Sequence, residues 1–145
     1  MSNKPIQERN AVRYINKLSN ILKRKLDVYK NCDDLTGTQG LMLRYILSVD
    51  HYLCQKELEA EFEIRPASAS ELLDKLEKKG YIVRKENEKN RRMKYIMPTP
   101  KAIEKKDLVN DVFDLNAELT NGLDENQYEQ LLDLLEALLE NVEKK

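Results

Sequence analysis

The chain contains no tryptophan, one histidine and two cysteines in 145 residues, and glycine and proline occur four times each. Aromatic residues make up 6%. Scarce glycine and proline leave few turns, which favours helices over sandwiches or barrels. The lone His51 rules out a site built from several histidines of one chain, and neither a His-Glu-x-x-His pair nor a glycine-rich phosphate loop occurs. No cofactor, no metal and no enzymatic activity are therefore expected. Cys32 and Cys54 do not form a Cys-x-x-Cys pair, as expected of a reducing cytoplasm. No apolar run approaches the ~20 residues of a membrane span. The stretch from Met1 to Tyr14 lacks the apolar core of a signal peptide. The expectation is a cytoplasmic protein with no membrane partner.

What is abundant is charge, at 35% of residues, beside 41% apolar residues, enough to bury one domain-sized core. The net charge of −1 is a cancellation. Residues 1–64 carry 10 Lys+Arg against 9 Asp+Glu, residues 65–106 carry 13 against 6, and residues 107–145 carry 2 against 11. A basic block of net +7 is a candidate phosphate footprint, and an acidic tail of net −9 should point away from nucleic acid. Two solvated helix faces of opposite sign would give the same numbers, so charge alone suggests a partner without identifying one.

Periodicity supplies the elements. Ile15, Leu18, Leu22, Leu26 and Tyr29 step by three and four, predicting an amphipathic helix within Ile6 to Tyr29. Thr36 and Gln39 have capping-box spacing ahead of a short helix from about Gly37 to Val49. A second short helix runs from Gln55 to about Phe62, with Cys54 as an unusual cap. After the turn Glu63-Ile64-Arg65, Pro66 opens a helix that Gly80 closes, with Tyr81 folding back on it. Ala69, Leu72, Leu73 and Leu76 share one face of that helix. The strand-prone runs Tyr81–Lys85 and Met93–Met97 flank a charged connection, a hairpin with an extended basic tip. Thr99-Pro100 restarts helix, with Leu108, Val112, Leu115 and Leu119 as its stripe, ended by Asn121-Gly122. Asp124 and Gln127 open a last helix whose arc of Leu131, Leu132, Leu134, Leu135, Leu138, Leu139 and Val142 is wide enough for two neighbours.

Two short helices followed directly by a hairpin make a winged helix-turn-helix. Such a motif puts the start of its second helix into the DNA major groove. That points to Arg65, Pro66, Ala67, Ser68, Ser70, Glu71 and Lys75. Glu71 could accept from a cytosine amino group or pair with Lys75 four residues on. On the wing, Arg92 is the leading candidate, since a guanidinium can enter a narrow minor groove. Lys89, Arg91 and Lys94 would hold phosphates. A two-fold dimer would set two such helices about 34 Å apart on a pseudo-palindromic site. Ile15, Leu18 and Leu22, with Leu131, Leu135, Leu138, Leu139 and Val142, are its candidate contacts.

The order of elements and several local stretches resemble the MarR family of bacterial transcription regulators, over about Ile6 to Val142. The most specific stretch runs from Ile64 through Pro66-Ala67-Ser68-Ala69-Ser70-Glu71-Leu72-Leu73 to Gly80-Tyr81-Ile82. The entry Leu35-Thr36-x-x-Gln39 and Gln55-Lys56-Glu57-Leu58 also match. The family's Asp-x-Arg wing signature and its Leu-Thr stand here as Asn90-Arg91-Arg92 and Pro98-Thr99. Asn90 in place of Asp should weaken the ion pair that steadies the wing arginine. Pro98 replaces Leu, Ala102 a common Gly, and Glu71 a polar or basic contact residue.

The resemblance implies a mostly α fold with a small β-hairpin, a winged helix-turn-helix flanked by N- and C-terminal dimerisation helices. The expected division is 1–34 for an N-terminal helix of the dimerisation region, 35–99 for DNA binding, and 100–145 for C-terminal dimerisation helices. It implies a homodimeric regulator, a repressor on double-stranded DNA, released by a small-molecule effector in the crevice between dimer helices and DNA-binding lobe. Other members use a reactive cysteine, for which Cys54, at a helix start, and Cys32 are the candidates. The alternative from another class is a winged helix used for protein contacts, docking through the acidic C-terminal helix.

Overall fold

In the computed structural model, residues 3–28, 34–112 and 114–143 are described, apart from the side chain of Arg91. Met1–Phe113 form one unit and Asp114–Lys145 a second.

The first unit begins with a short 3-10 turn, Ile6–Glu8, and helix α1, Ala11–Val28. Asn10 caps α1, its Oδ1 accepting the Arg13 amide at 3.2 Å. Tyr29 and Cys32 lie outside the described residues. Helix α2, Gly37–Ser48, starts at the expected capping box. Thr36 Oγ1 accepts the Gln39 amide and Gln39 Oε1 accepts the Thr36 amide, both at 3.3 Å. Two orphan amides are thereby satisfied. Met42, Leu43, Ile46 and Leu47 of α2 are buried, and the helix packs against α1 and most of the later elements of this unit. Gly37 permits the close approach of α1, because a Cβ there would stand 2.8 Å from Leu26 Cβ.

Helices α3, Gln55–Phe62, and α4, Pro66–Lys78, follow in the order the sequence predicts. Strands β1, Ile82–Asn87, and β2, Asn90–Pro98, form an antiparallel hairpin in which Arg84 faces Ile96 and Lys85 faces Tyr95. Leu53 adds an isolated bridge to Ile96, whose amide donates to the Leu53 carbonyl at 2.7 Å. The wing is thus stitched to the α2–α3 connection. Its root is buried through Leu53, Tyr81, Ile82 and Ile96.

Beyond the wing, the structure departs from the sequence reading. Where the sequence predicts one helix from Thr99 to Asn121, the described residues form three short ones: α5, Pro100–Glu104, α6, Lys106–Val112, and α7, Asn116–Leu119. Thr99 caps α5 as expected, accepting the Ala102 amide. The chain leaves helical geometry at Lys105 (φ −99°, ψ 9°). In α6 the buried residue is Val109, while Leu108 stays 47% exposed. The break at Lys105 shifts the helical phase, so a stripe drawn as one continuous helix picks the wrong neighbour.

In the second unit, α7 is followed by α8, Glu125–Glu143. Gly122, at φ +91°, takes the left-handed conformation of the turn between them. The Asp124–Gln127 capping box forms, with Gln127 donating to Asp124 Oδ1 at 2.8 Å and Asp124 donating to Gln127 Oε1 at 3.0 Å. No residue of α8 is buried: Leu131 is half-buried and Leu135, Leu138, Leu139 and Val142 are exposed. On α1, Ile15 and Leu18 are likewise exposed and Leu22 half-buried. Among the described residues no helix is long and apolar enough to cross a membrane.

Candidate nucleic-acid interface

The turn between α3 and α4 is made by Glu63 in left-handed geometry (φ 50°), which costs a residue with a side chain about 1–2 kcal/mol. It is compensated by the amide of Ile64, which donates to the Glu59 carbonyl at 3.1 Å. Gln55 Nε2 spans the same corner, donating to the Pro66 carbonyl at 3.2 Å and to Glu59 Oε2 at 3.1 Å. The start of α4 is thereby fixed on α3. Pro66 occupies the first turn, where its missing amide costs nothing.

Along α4, Ala69, Leu73 and Leu76 are fully buried, so the opposite face is presented outward. Arg65, Pro66, Ala67, Ser68, Glu71 and Lys75 are exposed and Ser70 is half-buried. These are the residues the sequence nominated, and they share one surface because Ala69, Leu73 and Leu76 anchor the other. Lys75 Nζ donates to Glu71 Oε1 at 3.0 Å, so of the two readings of Glu71 the intrahelical pair is formed in the free chain. Gly80, at φ +85°, ends the helix. The Tyr81 amide donates to the Leu76 carbonyl at 2.9 Å and the Gly80 amide to that of Glu77 at 3.0 Å, the Schellman arrangement.

The wing is more extended than the sequence suggests. Only Glu88-Lys89 form the turn, and Arg91 and Arg92 belong to β2. Glu86 faces Lys94 while Asn87 faces Asn90, so Arg91, Arg92 and Met93 fall between successive partners of β1. A bulge of this kind re-aims side chains away from the regular ladder. Two asparagines brace it: Asn87 Oδ1 accepts the Lys89 amide at 2.9 Å and Asn90 Oδ1 accepts the Arg92 amide at 3.1 Å. Asn90 therefore supports the backbone of Arg92 without an ion pair. Lys89, Arg92 and Lys94 are exposed; the Arg91 side chain lies outside the described residues.

Three cations of the +7 block serve the scaffold instead. Arg84, half-buried, was not nominated from the sequence. Its Nη2 donates to Asp74 Oδ1 at 2.6 Å and Glu77 Oε1 at 2.9 Å, and its amide donates to Glu77 Oε2 at 3.1 Å. Wing and α4 are thus tied together, and the bond from Arg84 holds the Glu77 carboxyl below its ordinary range. The available signal was alternation, since Arg84 shares a strand face with buried Ile82. Lys79 Nζ donates to the Asp34 carbonyl and, at 2.6 Å, to the buried Gln39 Oε1. Lys101 Nζ donates to the Lys79 carbonyl at 2.8 Å and lies 4.4 Å from the centroid of the Tyr81 ring. The Tyr81 hydroxyl donates to Asp34 Oδ1 at 2.8 Å, which lowers the Asp34 pKa. By contrast, Arg65, Lys89, Arg92 and Lys94 form no ion pair among the described residues.

Cys54 is buried at the start of α3, and its amide donates to Glu57 Oε1 at 3.2 Å. The other carboxylate oxygen of Glu57 is 2.9 Å from His51 Nε2.

The sequence model of the MarR family matches residues 33–93. A putative MarR-family transcriptional regulator from Listeria monocytogenes, solved with a 26mer DNA, superposes with a TM-score of 0.83 at 25% identity, over 92% of this chain and 89% of that one. MepR of S. aureus, solved as a DNA complex, gives 0.81 at 26% identity, over 92% and 99%. The transcription regulator MarR from Oenococcus oeni PSU-1 gives 0.76 at 28% identity, over 90% and 99%. Among curated proteins nothing matches this chain.

Proposed function

We propose, from its membership of the MarR family of transcription regulators, that this protein binds a pseudo-palindromic duplex operator as a homodimer, represses from it, and is released by a small-molecule ligand. The observation that carries the reading is the shared exposure of two cationic features on one braced scaffold: the start of α4, with Arg65 and Ser68, and the bulged wing, with Lys89, Arg92 and Lys94. The Arg84 bridge ties these two elements to each other. The DNA complexes of the Listeria and Staphylococcus relatives support duplex DNA as the ligand.

In this reading Ala67, Ser68, Ser70 and Glu71 lie along base edges, with the Glu71–Lys75 pair opening where either residue finds a better partner on DNA. Arg92 enters the minor groove, and Arg91, Lys89 and Lys94 hold phosphates. The second copy is called for by the apolar residues of α8 and α1 that the single chain leaves uncovered. Exposed apolar residues in such number on one helix, as on α8, mark an interaction surface. Selection from a random duplex pool is the direct test. An enriched inverted repeat, with half-sites about one helical turn apart, is the expected result; recovery of no preferred sequence would count against the proposal.

A further inference from the structure

Between the start of α3 and the wing lies a concavity of about 300 Å³, the space of roughly ten waters at ~30 Å³ each. Its rim carries four cations, Lys56, Arg84, Arg92 and Lys94, and its floor includes Cys54 and Ile96, both buried. Arg84 is already neutralised by Asp74 and Glu77. The wall's one carboxylate, Glu59, is engaged by the side-chain amide of Gln55. Lys56, Arg92 and Lys94 form no ion pair among the described residues. These three cations, against the single carboxylate of Glu59, therefore give the recess an excess of positive charge over a partly apolar floor, where water screens it less than on a convex surface.

We infer that this recess is a phosphate seat, in which Lys56 from α3 closes on the same phosphate group that Lys94 approaches from the wing, while Arg92, on the rim, stays free for the minor groove. The occupant is a backbone phosphodiester of the bound duplex; the inference rests on the DNA-binding reading above and adds α3 to it. Lys56 is exposed on the α3 side of the recess, facing two wing cations, so the seat clamps one strand between helix and wing. A phosphate grip of this kind positions the protein without reading sequence. It also gives the bulge at Arg91–Met93 a role, since it displaces Arg92 from the β-ladder beside the recess.

The test is duplex binding as a function of salt for wild type, Lys56→Ala, Lys56→Arg and, as a distant cation, Lys17→Ala on α1. Each lysine withdrawn from a phosphate contact flattens the slope of log affinity against log salt by about 1, or about 2 for the two seats of a dimer. Lys56→Ala is expected to show that flattening and to weaken preferred and unrelated duplexes by the same factor. Lys56→Arg and Lys17→Ala should keep the wild-type slope. A second arm replaces chloride by inorganic phosphate at matched ionic strength. Displacement of duplex from wild type but not from Lys56→Ala would mean that the seat also accepts free phosphate; equal behaviour in both salts would mean a phosphodiester alone. An unaltered slope in Lys56→Ala, with its circular dichroism unchanged, overturns the seat and leaves the DNA-binding reading intact. Absence of duplex binding by wild type would overturn both.

Discussion

Arg92 and His51 show how differently two exposed residues can be constrained. Arg92 is held through its backbone, by Asn90 Oδ1, while its guanidinium remains uncommitted among the described residues. Arg92→Ala should therefore leave folding untouched and cost operator binding about 1–3 kcal/mol. Anisotropy titration beside a thermal melt checks this, and binding as tight as wild type would exclude a wing contact. His51 is constrained through its side chain. Glu57 at 2.9 Å, and secondarily Asp50 at 3.4 Å, raise its pKa above the ordinary 6.5. A raised folded-state pKa stabilises where histidine is protonated, fully so below about 6.5, and the gain vanishes as pH climbs through the folded value. Urea unfolding of wild type and His51→Gln across pH 5.5 to 8.5 should show wild type ahead at the acid end and the gap closing toward the alkaline end. A gap that widens with pH would reverse the assignment.

Helices and strands are set by their ends and by their closest approaches. The capping boxes at Thr36 and Asp124 are local, each made by two side chains three residues apart. The α1–α2 crossing is different, because it depends on the absent side chain of Gly37. A methyl group there would meet Leu26 Cβ at 2.8 Å and the Leu26 carbonyl carbon at 3.0 Å, and backbone cannot swing aside as a side chain tip can. Gly37→Ala is expected to destabilise by roughly 1–3 kcal/mol, the usual cost of overpacking. Chemical denaturation measures it; a neutral or stabilising change would mean that α1 shifts freely on α2. The wing and α4 act as one element through Arg84, whose carboxylate partners at 74 and 77 lie one helical turn apart on α4.

For the whole molecule, the proposed dimer rests on the exposed leucines of α8. In the proposed dimer the second copy covers Leu135, Leu138 and Leu139, which are exposed in the single chain. Light scattering at micromolar concentration should give the mass of a dimer. Leu138→Glu, which puts a charge into the apolar arc of a helix already carrying several acids, should shift that mass toward the monomer and weaken operator binding with it. A monomeric wild type, or a Leu138→Glu protein that stays dimeric, would remove α8 from the interface.

Much of the helix-turn-helix and wing was legible in the sequence because its signals are local. Pro66 at a helix start, Gly80 at a helix end, the Thr36–Gln39 spacing and the alternation of the two strands each act within a few residues. So the exposed face of α4 followed once Ala69, Leu73 and Leu76 were assigned to the core. What failed depended on contacts distant in sequence. The helix drawn through residues 100–121 breaks at Lys105, where a change of phase buries Val109 in place of Leu108. The wing runs further than its β-prone residues indicate, because a bulge absorbs Arg91, Arg92 and Met93. Most of all, the +7 block proved to be two populations. Sequence alone determined how many cations lie between Arg65 and Lys106, since charge is a property of residues. Tertiary structure decided that Lys79, Arg84 and Lys101 are hydrogen-bonded to the scaffold while Arg92, Lys94 and a lysine from outside the block, Lys56, line one recess, since a cation's role depends on which partners folding brings within reach.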